Sequence, residues 1–315
     1  MARWLALALL CGACGSATTA TPAADSSSDS LPGDVTADSL GADVTSTSLA
    51  CNGAVELCSR RLNEVSLAAA HNAMSNADEG WSFANQQHGL LTQLDDGIRG
   101  FLIDAHPADE NTPDQPAGKA MLCHDLCQLG YEPLDHAFAK MKVWLDVHPR
   151  EVITYVIEDY VPEQAITDAL TTSGMLPMCL HQPLGQPFPT LQAMIDANTR
   201  VFIMVESGGG PAPWHHGYQD YAQDNPYSAA TVADFSCDRL RGKAGNPLLL
   251  INHFLTNGLT GHDVLAAQAN PDPGLSDHVL QCQKQFGQLP NIVALDYYNI
   301  GGGLLPLVRK LNGLP

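Results

Sequence analysis

Basic residues are scarce in this sequence. Fifteen Lys and Arg stand against thirty-four Asp and Glu, so the formal net charge is −19 at pH 7. A chain with so little positive charge offers no basic patch that could neutralise a phosphate backbone, and we expect no nucleic-acid partner. The same charge repels an anionic membrane surface, although a metal ion in an active site would reverse the sign of the field locally.

Long apolar runs and glycine-rich phosphate loops are also missing. Beyond the first residues no stretch is long and apolar enough to form a transmembrane helix, and no GxGxxG pattern follows a candidate strand. Internal repeats are absent as well. What the 315 residues do have is 45% hydrophobic content, which is enough for one large domain with a substantial core.

The first residues have the layout of an export signal, which we expect to cover residues 1–14. Arg3 precedes the apolar run 4–10, which is too short to span a membrane, and small residues follow. Residues 11–16, Cys-Gly-Ala-Cys-Gly-Ser, resemble a bacterial lipoprotein cleavage box in which Cys14 is lipidated. The usual leucine of that box is Cys11 here, so ordinary cleavage nearby is the alternative. We expect an exported protein, either lipid-anchored in the bacterial cell envelope or secreted.

The nine cysteines agree with an oxidising compartment. The short spacings of Cys51 with Cys58 and of Cys123 with Cys127 suit disulfide loops better than zinc sites, and we predict both disulfides. The other cysteines of the folded region leave an odd thiol, and their pairing stays open: Cys179, Cys237 and Cys282.

A change of composition near residue 50 divides the chain. Residues 15–50 are Ser, Thr, Ala, Asp and Pro with almost no large apolar groups, which is typical of a disordered linker. In residues 51–315 short apolar runs alternate with helical patterns, and we expect one catalytic domain there. The clearest helix is predicted over 134–147, from apolar residues at helical spacing. The candidate strands are 65–70, 101–105, 120–123, 152–157, 201–205, 248–252 and 292–295.

Continuously apolar strands that alternate with helices indicate a parallel sheet covered on both faces. Seven strands are visible and an eighth can be hidden, so we predict an α/β fold, a single (β/α)8 barrel of the TIM type, closed or slightly irregular. An open doubly wound sheet is the alternative. Polar residues at the ends of the runs favour the barrel, because its carboxyl ends share one face, where active sites lie. These residues are His71 with Asn72, Asp104, His124, Glu158 and Asp296.

Four strings that contain several of these residues resemble, in order, the catalytic X region of phosphatidylinositol-specific phospholipase C. They are AHNAMS at 70–75, GIRGFLID at 97–104, LCH at 122–124 and EVITYVIED at 151–159. CNGAVELC at 51–58 and IVALDYY at 292–298 resemble the secreted branch of this superfamily. Any one string is a weak signal, but together they are a strong one, and the resemblance covers roughly residues 51–315.

The resemblance implies a phosphodiesterase in which His71 is the general base, His124 the general acid and Asp296 the carboxylate that orients the base. The chemistry agrees with that assignment, since cleavage next to a hydroxyl needs a base, an acid and positive charge on the phosphoryl oxygens. Histidine titrates near neutral pH, so two imidazoles can fill the first two roles. For each of these three residues the alternative is a structural role.

The resemblance also implies a metal site. The calcium-dependent branch carries an asparagine after the first histidine, an aspartate on the second strand and a glutamate ending the fourth, and Asn72, Asp104 and Glu158 match these positions. Such oxygen ligands suit Ca²⁺, with Mg²⁺ as the alternative. Leu102 stands where that branch has another glutamate, so weaker metal binding is implied. A hydrogen-bonded cluster without metal is the other interpretation.

Three further residues are candidates for substrate binding. Glu206 follows the strand 201–205 and has either a head-group contact or a structural role. Trp214 and Tyr218 lie in a Gly/Pro-rich loop that could cover the pocket, contact lipid or pack against the barrel rim. We expect a monomer that binds a phosphodiester lipid and touches the membrane surface peripherally.

Two other functions compete with phosphatidylinositol cleavage. A related barrel enzyme acts on glycerophosphodiesters or sphingomyelin, but it needs a Glu-x-Asp pair where this chain has Leu102-Ile103-Asp104. A catalytically degenerate envelope lipoprotein would use the barrel only for binding. Such a protein should have lost one of the two histidines or Asp104, and all three are present.

Overall fold

The computed structural model describes residues 49–256 and 262–315. The expectations for residues 1–48, Cys14 among them, lie outside the described residues. The strands are β1 (Leu67–Ala70), β2 (Gly100–Pro107), β3 (Ala120–Leu122), β4 (Glu132–Pro133), β5 (Ile153–Asp159), β6 (Val201–Val205), β7 (His216–Gly217), β8 (Ala222–Asp224), β9 (Leu248–Asn252) and β10 (Ile292–Leu295). The helices are α1 (Leu90–Asp95), α2 (Leu134–Val147), α3 (Glu163–Thr172), α4 (Leu191–Asp196), α5 (Tyr218–Tyr221), α6 (His262–Ala269), α7 (Gly274–Phe286) and α8 (Leu304–Leu311).

Eight parallel strands form one curled sheet in the order β7-β6-β5-β2-β1-β10-β9-β8. The two end strands are short, and within the described residues β7 and β8 do not pair with each other. The curled sheet is therefore a barrel that stays open along one seam, where the four-residue helix α5 connects β7 to β8. This confirms the predicted fold class, a single α/β domain with an irregular barrel of the TIM type.

The two faces of each strand belong to different cores, because successive side chains of a strand point to opposite faces. On β2, Phe101 and Ile103 pack in a cluster that contains the long helices, whereas Leu102 packs in the other cluster. On β10, Leu295 belongs to the first cluster and Ala294 to the second. The second cluster includes none of α2, α3, α7 and α8, so it fills the inside of the curled sheet.

Helix α2 shows how the outer layer forms. It covers Leu134–Val147, as predicted, and its buried side chains include Leu134, Phe138, Met141 and Leu145 at helical spacing. No described helix has the length and apolarity that crossing a membrane would require.

The predicted strand 120–123 differs from the expectation. It forms β3, which pairs antiparallel with β2, opposite Ala105 to Pro107, and so is not one of the barrel strands. An apolar run carries no information about strand direction, so the sequence could not distinguish a hairpin from a parallel strand. In this hairpin β2 continues beyond the barrel edge and β3 runs back towards it. The segment after β3, which contains His124, therefore lies at the carboxyl edge.

Candidate active site

The inward face of the barrel strands carries polar residues at the carboxyl edge. The inner core contains Leu102, Val156 and Ala294. Side chains two residues apart on a strand share a face, so Asp104, Glu158 and Asp296 lie on this inner face too. The strand registers then set these residues side by side: Asp104 pairs with Glu158, and the pairing of Ile157 with Val205 puts Glu206 next along the edge. Six of the residues singled out by sequence line one cavity: His71, Asn72, Leu102, Asp104, Glu158 and Glu206.

His71 and Asp296 form a hydrogen-bonded pair at the carboxyl edge. They follow the adjacent strands β1 and β10, whose last residues pair with each other, and His71 Nδ1 donates a hydrogen bond of 2.8 Å to Asp296 Oδ1. Asn85 Nδ2 donates to both oxygens of Asp296 at 3.2 Å. Burial alone would raise the pKa of Asp296, but the neighbouring imidazoles of His71 and His262 hold it below its usual value. The carboxylate is therefore ionised at neutral pH.

Phe254 stacks on His71 and was missed by sequence reasoning. The ring centroids lie 3.7 Å apart with planes 4° from parallel, and Phe254 is buried. With Asp296 holding Nδ1 and Phe254 covering one face, the imidazole plane of His71 is fixed. Because Phe254 lies beyond the end of β9 in an irregular segment, no periodic pattern could have identified it.

His124 reaches the same edge through the β2–β3 hairpin and is held by Asn72. The Asn72 Nδ2 amide lies 3.2 Å from His124 Nε2 and donates to it when that nitrogen is unprotonated. Asn72 has a φ of 44°, a left-handed conformation that asparagine tolerates better than most residues. Burial, and then the nearby His71, lower the pKa of His124. The structure thus places both predicted histidines at one edge, linked through Asn72.

The carboxylates beside these histidines repel one another. Burial raises the pKa of Asp104 well above its usual value, and the charges of Glu158, Asp125 and Glu206 raise it further. A bound cation would relieve that repulsion, and two carboxylates with the Asn72 amide form an oxygen donor set of the kind that hard cations prefer. The residues present therefore fit a divalent cation, while Leu102, which lines the same cavity, provides no ligand.

Arg241 is the second residue that sequence reasoning missed. Its guanidinium pairs with Glu206 and lies 2.6 Å from a carboxylate oxygen of the fully buried Asp224. The rings of Tyr218 and Tyr227 flank it at 4.7 and 4.9 Å. The guanidinium lines the cavity and ties the end of β6 to β8 across the seam of the barrel. Arg241 lies in the long connection between β8 and β9, where no motif marks it.

His262 is the third missed residue. It begins α6, and its Nδ1 lies 3.2 Å from Asp296 Oδ2, the oxygen opposite the one that contacts His71. It faces a second cavity, whose walls include His124, Trp81, Phe83 and Leu126. It lies at no predicted strand end and in no string that resembles the family, so nothing in the sequence singles it out.

The other candidates divide between the cavity and the core. Glu206 lines the cavity in its pair with Arg241. Trp214 is buried, donates from Nε1 to Thr167 Oγ1 at 3.2 Å and stacks on His215, which corresponds to the packing alternative. Tyr218 is fully buried and donates from its hydroxyl to Asp224 Oδ2 at 3.0 Å, so it reaches the cavity only through Arg241.

Both predicted disulfides are present, Cys51–Cys58 and Cys123–Cys127. The pairing that the sequence left open is Cys237–Cys282, and Cys179 is the free thiol among the described residues. Ligand atoms of Cys237, Cys282 and His278 lie within 4.8 Å of one another, but both sulfurs belong to the disulfide and are not available as thiolate ligands.

The family model described as PI-PLC X 1 matches residues 57–310. This chain belongs to the PI-PLC X family. The match spans β1 to β10 and includes all the predicted catalytic and metal-binding positions.

Two relatives are similar to this chain in sequence, and a solved structure is similar to it in fold. The chain is 28% identical over 293 residues to an uncharacterized secreted protein of Arthroderma benhamiae, covering 84% of this chain and 64% of that protein. It is 24% identical to a PI-PLC X domain-containing protein of Arabidopsis thaliana, covering 80% and 62%. The chain thus spans less than two thirds of either relative. The phosphatidylinositol-specific phospholipase C of S. aureus superposes with a TM-score of 0.52 at 15% identity, covering 82% of this chain and 95% of that one, and shares the fold.

Proposed function

We propose that this protein is an exported phosphodiesterase that cleaves phosphatidylinositol or a related phosphodiester lipid with two imidazoles. The observation that carries the proposal is the hydrogen bond between His71 Nδ1 and Asp296 at the carboxyl edge, with His124 held on the other side of Asn72. Since Nδ1 of His71 donates to the carboxylate, its Nε2 is left with a lone pair that can accept a proton.

The reaction is an intramolecular attack. His71 Nε2 takes the proton of a hydroxyl group next to the phosphate, and that oxygen bonds to phosphorus to give a cyclic phosphate. The bond from phosphorus to the lipid alcohol breaks, and His124 donates a proton to the departing oxygen. Asp296 keeps His71 in the correct tautomer and stabilises the imidazolium that forms, as the carboxylate of a hydrolase triad does.

Asn72, Asp104 and Glu158 would hold a divalent cation, Ca²⁺ in first place and Mg²⁺ as the alternative. The ion supplies Lewis-acid polarisation of the phosphoryl group. The support for this is the strand register that sets Asp104 beside Glu158, with Asn72 lining the same cavity. Because Leu102 replaces one ligand, we expect binding weaker than at a site with a full set of carboxylates.

The cavity also provides groups for a head group. Glu206 can accept hydrogen bonds from hydroxyl groups, and the guanidinium of Arg241 keeps donors that its carboxylate partners do not use. Phe83 and Leu126 are exposed beside the histidines, which suits peripheral contact of a monomer with a membrane surface. Export agrees with the disulfides and with the name of the fungal relative.

Turnover of phosphatidylinositol in mixed vesicles tests the proposal. His71→Ala and His124→Ala should each lower kcat by about a thousandfold or more, because each removes a proton-transfer group. His148→Ala is the control, since His148 caps α2 at the opposite edge of the sheet. Wild-type turnover in His71→Ala or in His124→Ala would refute the histidine roles.

Chelation tests the cation separately. Treatment with EDTA should abolish turnover, and added Ca²⁺ should restore it. Turnover that is indifferent to EDTA would remove the metal from the proposal and leave the imidazoles in place. Detection of cyclic against open inositol phosphate, alongside sphingomyelin and glycerophosphodiester substrates, identifies the reaction.

A further inference from the structure

Asp296 has a second imidazole partner. The geometry points to His262 as a positioning residue, which fixes the Asp296 carboxylate so that its other oxygen holds His71. This inference rests on the proposed function, because the carboxylate matters through the base that it orients.

The contacts of Asp296 show why the second partner matters. Oδ1 receives the His71 N–H at 2.8 Å, and Asn85 Nδ2 lies equally far, 3.2 Å, from Oδ1 and Oδ2. A donor shared equally between both oxygens resists rotation of the carboxylate only weakly. His262 Nδ1, at 3.2 Å from Oδ2, is the contact that distinguishes the two oxygens. As an ion pair, it restrains the carboxylate from the side opposite His71.

Helix α6 and the residue after it contact Asp296 at both ends of the helix. His262 is its first residue, and Asn270 directly follows its last residue, Ala269. Asn270 Nδ2 donates to the backbone oxygens of Asp296 and Tyr297 at 2.9 and 3.1 Å. The helix thus contacts the side chain of Asp296 at one end and its backbone at the other, so the imidazole is held in a defined place relative to the carboxylate.

The charged surroundings of His262 agree with this role. Its interaction with Asp296 raises the pKa of His262 above the usual value, while burial opposes the rise, and Asp263 adds to it. His262 also lies close enough to His124 to lower the pKa of that imidazole. The protonated form of His262, which forms an ion pair with Asp296, is therefore favoured more in the folded protein than in the unfolded chain.

Two substitutions separate positioning from packing. His262→Ala removes the imidazole that lies 3.2 Å from Oδ2, whereas His262→Asn keeps an N–H group near the place of Nδ1. We expect kcat for phosphatidylinositol to fall by about 30-fold in His262→Ala with KM little changed, because small displacements of a catalytic group cost one to two orders of magnitude. His262→Asn should recover most of the loss. The control is His88→Ala, which removes an imidazole–carboxylate pair with Asp78 on the surface.

The kinetic outcomes are distinguishable from failure of the proposed function. If the wild-type protein turns over the lipid and His262→Ala matches it in kcat, the positioning role is overturned. If His262→Asn is as impaired as His262→Ala, the loss comes from the missing volume of the imidazole and not from its N–H group. The positioning role is then overturned as well. A wild-type protein without phosphodiesterase activity would instead end the proposed function.

An NMR measurement tests the contact between His262 and Asp296 independently of enzymatic activity. In ¹⁵N-labelled protein, the His71 Nδ1–H donated to Asp296 should give a downfield proton signal that is sharp in the wild type and broadened or lost in His262→Ala. The titration midpoint of His262 should fall in Asp296→Asn. An unchanged His71 signal in His262→Ala, or an unchanged His262 midpoint in Asp296→Asn, would overturn the inference, whatever the activity.

Discussion

Asp296 is the residue on which the candidate site depends most. It follows the last barrel strand, is almost completely buried, and accepts hydrogen bonds from His71 and Asn85. A buried carboxylate without partners would be neutral, but the two imidazoles keep its pKa below the usual value. Its charge is therefore available to stabilise a protonated His71 at neutral pH.

Asp296→Asn should lower kcat by about a thousandfold with little loss of stability. The amide can still occupy the space, but it carries no charge and can present an N–H to Nδ1, which favours the wrong tautomer of His71. Steady-state kinetics on phosphatidylinositol vesicles and a urea unfolding curve would check both parts. Asp114→Asn, a change in an exposed loop, is the control. A kcat within tenfold of the wild type would contradict the orienting role.

Residues at strand ends could be predicted, and residues in irregular segments could not. His71, Asp104, Glu158 and Asp296 each follow or end an apolar run, so the alternation of a strand determines that they face inward. Phe254, His262 and Arg241 lie in connections whose path depends on the folded barrel. Their roles come from contacts with residues distant in sequence, and no local periodicity records such contacts.

The β2–β3 hairpin is the element that delivers His124. The Cys123–Cys127 disulfide closes the turn around His124, with a sequence separation of 4. The Cys51–Cys58 disulfide, with a separation of 7, lies instead beside the start of β5, where Asn52 Nδ2 donates to the Val152 oxygen. The chain thus provides two short disulfide loops, one at the candidate site and one at the opposite edge.

Replacing both cysteines of a loop by serine should separate their effects. Removal of Cys123–Cys127 should lower kcat by about tenfold, because His124 then samples more positions. Removal of Cys51–Cys58 should leave kcat unchanged, while each double variant loses about 2 kcal/mol of unfolding free energy. Kinetics and urea denaturation measure the two quantities. Equal kcat values for the two variants would show that the loop does not position His124.

Arg241 joins the elements on either side of the seam. Arg241→Gln should lower the unfolding free energy by about 3 kcal/mol, because it leaves the buried Asp224 without its cation. Lys243→Gln is the matched control, since Lys243 pairs with Asp220 on the surface, where its side chain is 77% exposed. Urea midpoints should fall for Arg241→Gln and stay near the wild type for Lys243→Gln. Equal midpoints for both variants would contradict this role.

The elements themselves were predictable in proportion to their length. The helix over Leu134–Val147 has almost four turns of periodic apolar residues, and its bounds were predicted correctly. Strands β7 and β8 have two and three residues, too few for an alternation to be visible, so they were not found. The run that became β3 was found, but its antiparallel direction is set by the hairpin that β2 makes beyond the barrel.

For the molecule as a whole, a buried histidine pair makes stability depend on pH. His253 Nδ1 lies 2.8 Å from His278 Nδ1, and His253 Nε2 lies 2.9 Å from the Ala269 oxygen. Burial lowers the pKa of His253 to about 4. Between about pH 6.5 and pH 4, His253 is therefore protonated in the unfolded chain but neutral in the folded protein. Because the unfolded state binds more protons, the free energy of unfolding falls as the pH is lowered through this range.

Between pH 7 and pH 4.5 the loss should be about 2 kcal/mol for this one group. Urea unfolding at pH 7 and at pH 4.5 would measure it, with His253→Gln as the comparison, since that side chain does not titrate. The variant should lose less stability than the wild type over the same interval. A pH dependence equal to that of the wild type would show that His253 titrates normally in the folded protein.

The open seam between β7 and β8 has a consequence for how this scaffold can diversify. Seven strand pairs around the barrel are held by backbone hydrogen bonds, which fix a spacing of about 4.8 Å between neighbours. At the seam the wall is joined by the side chains of Glu206, Asp224 and Arg241 instead. Longer or shorter side chains at these three positions should therefore change the width of the cavity mouth while the backbone hydrogen bonds between strands are kept, provided that the buried charge of Asp224 retains a cationic partner.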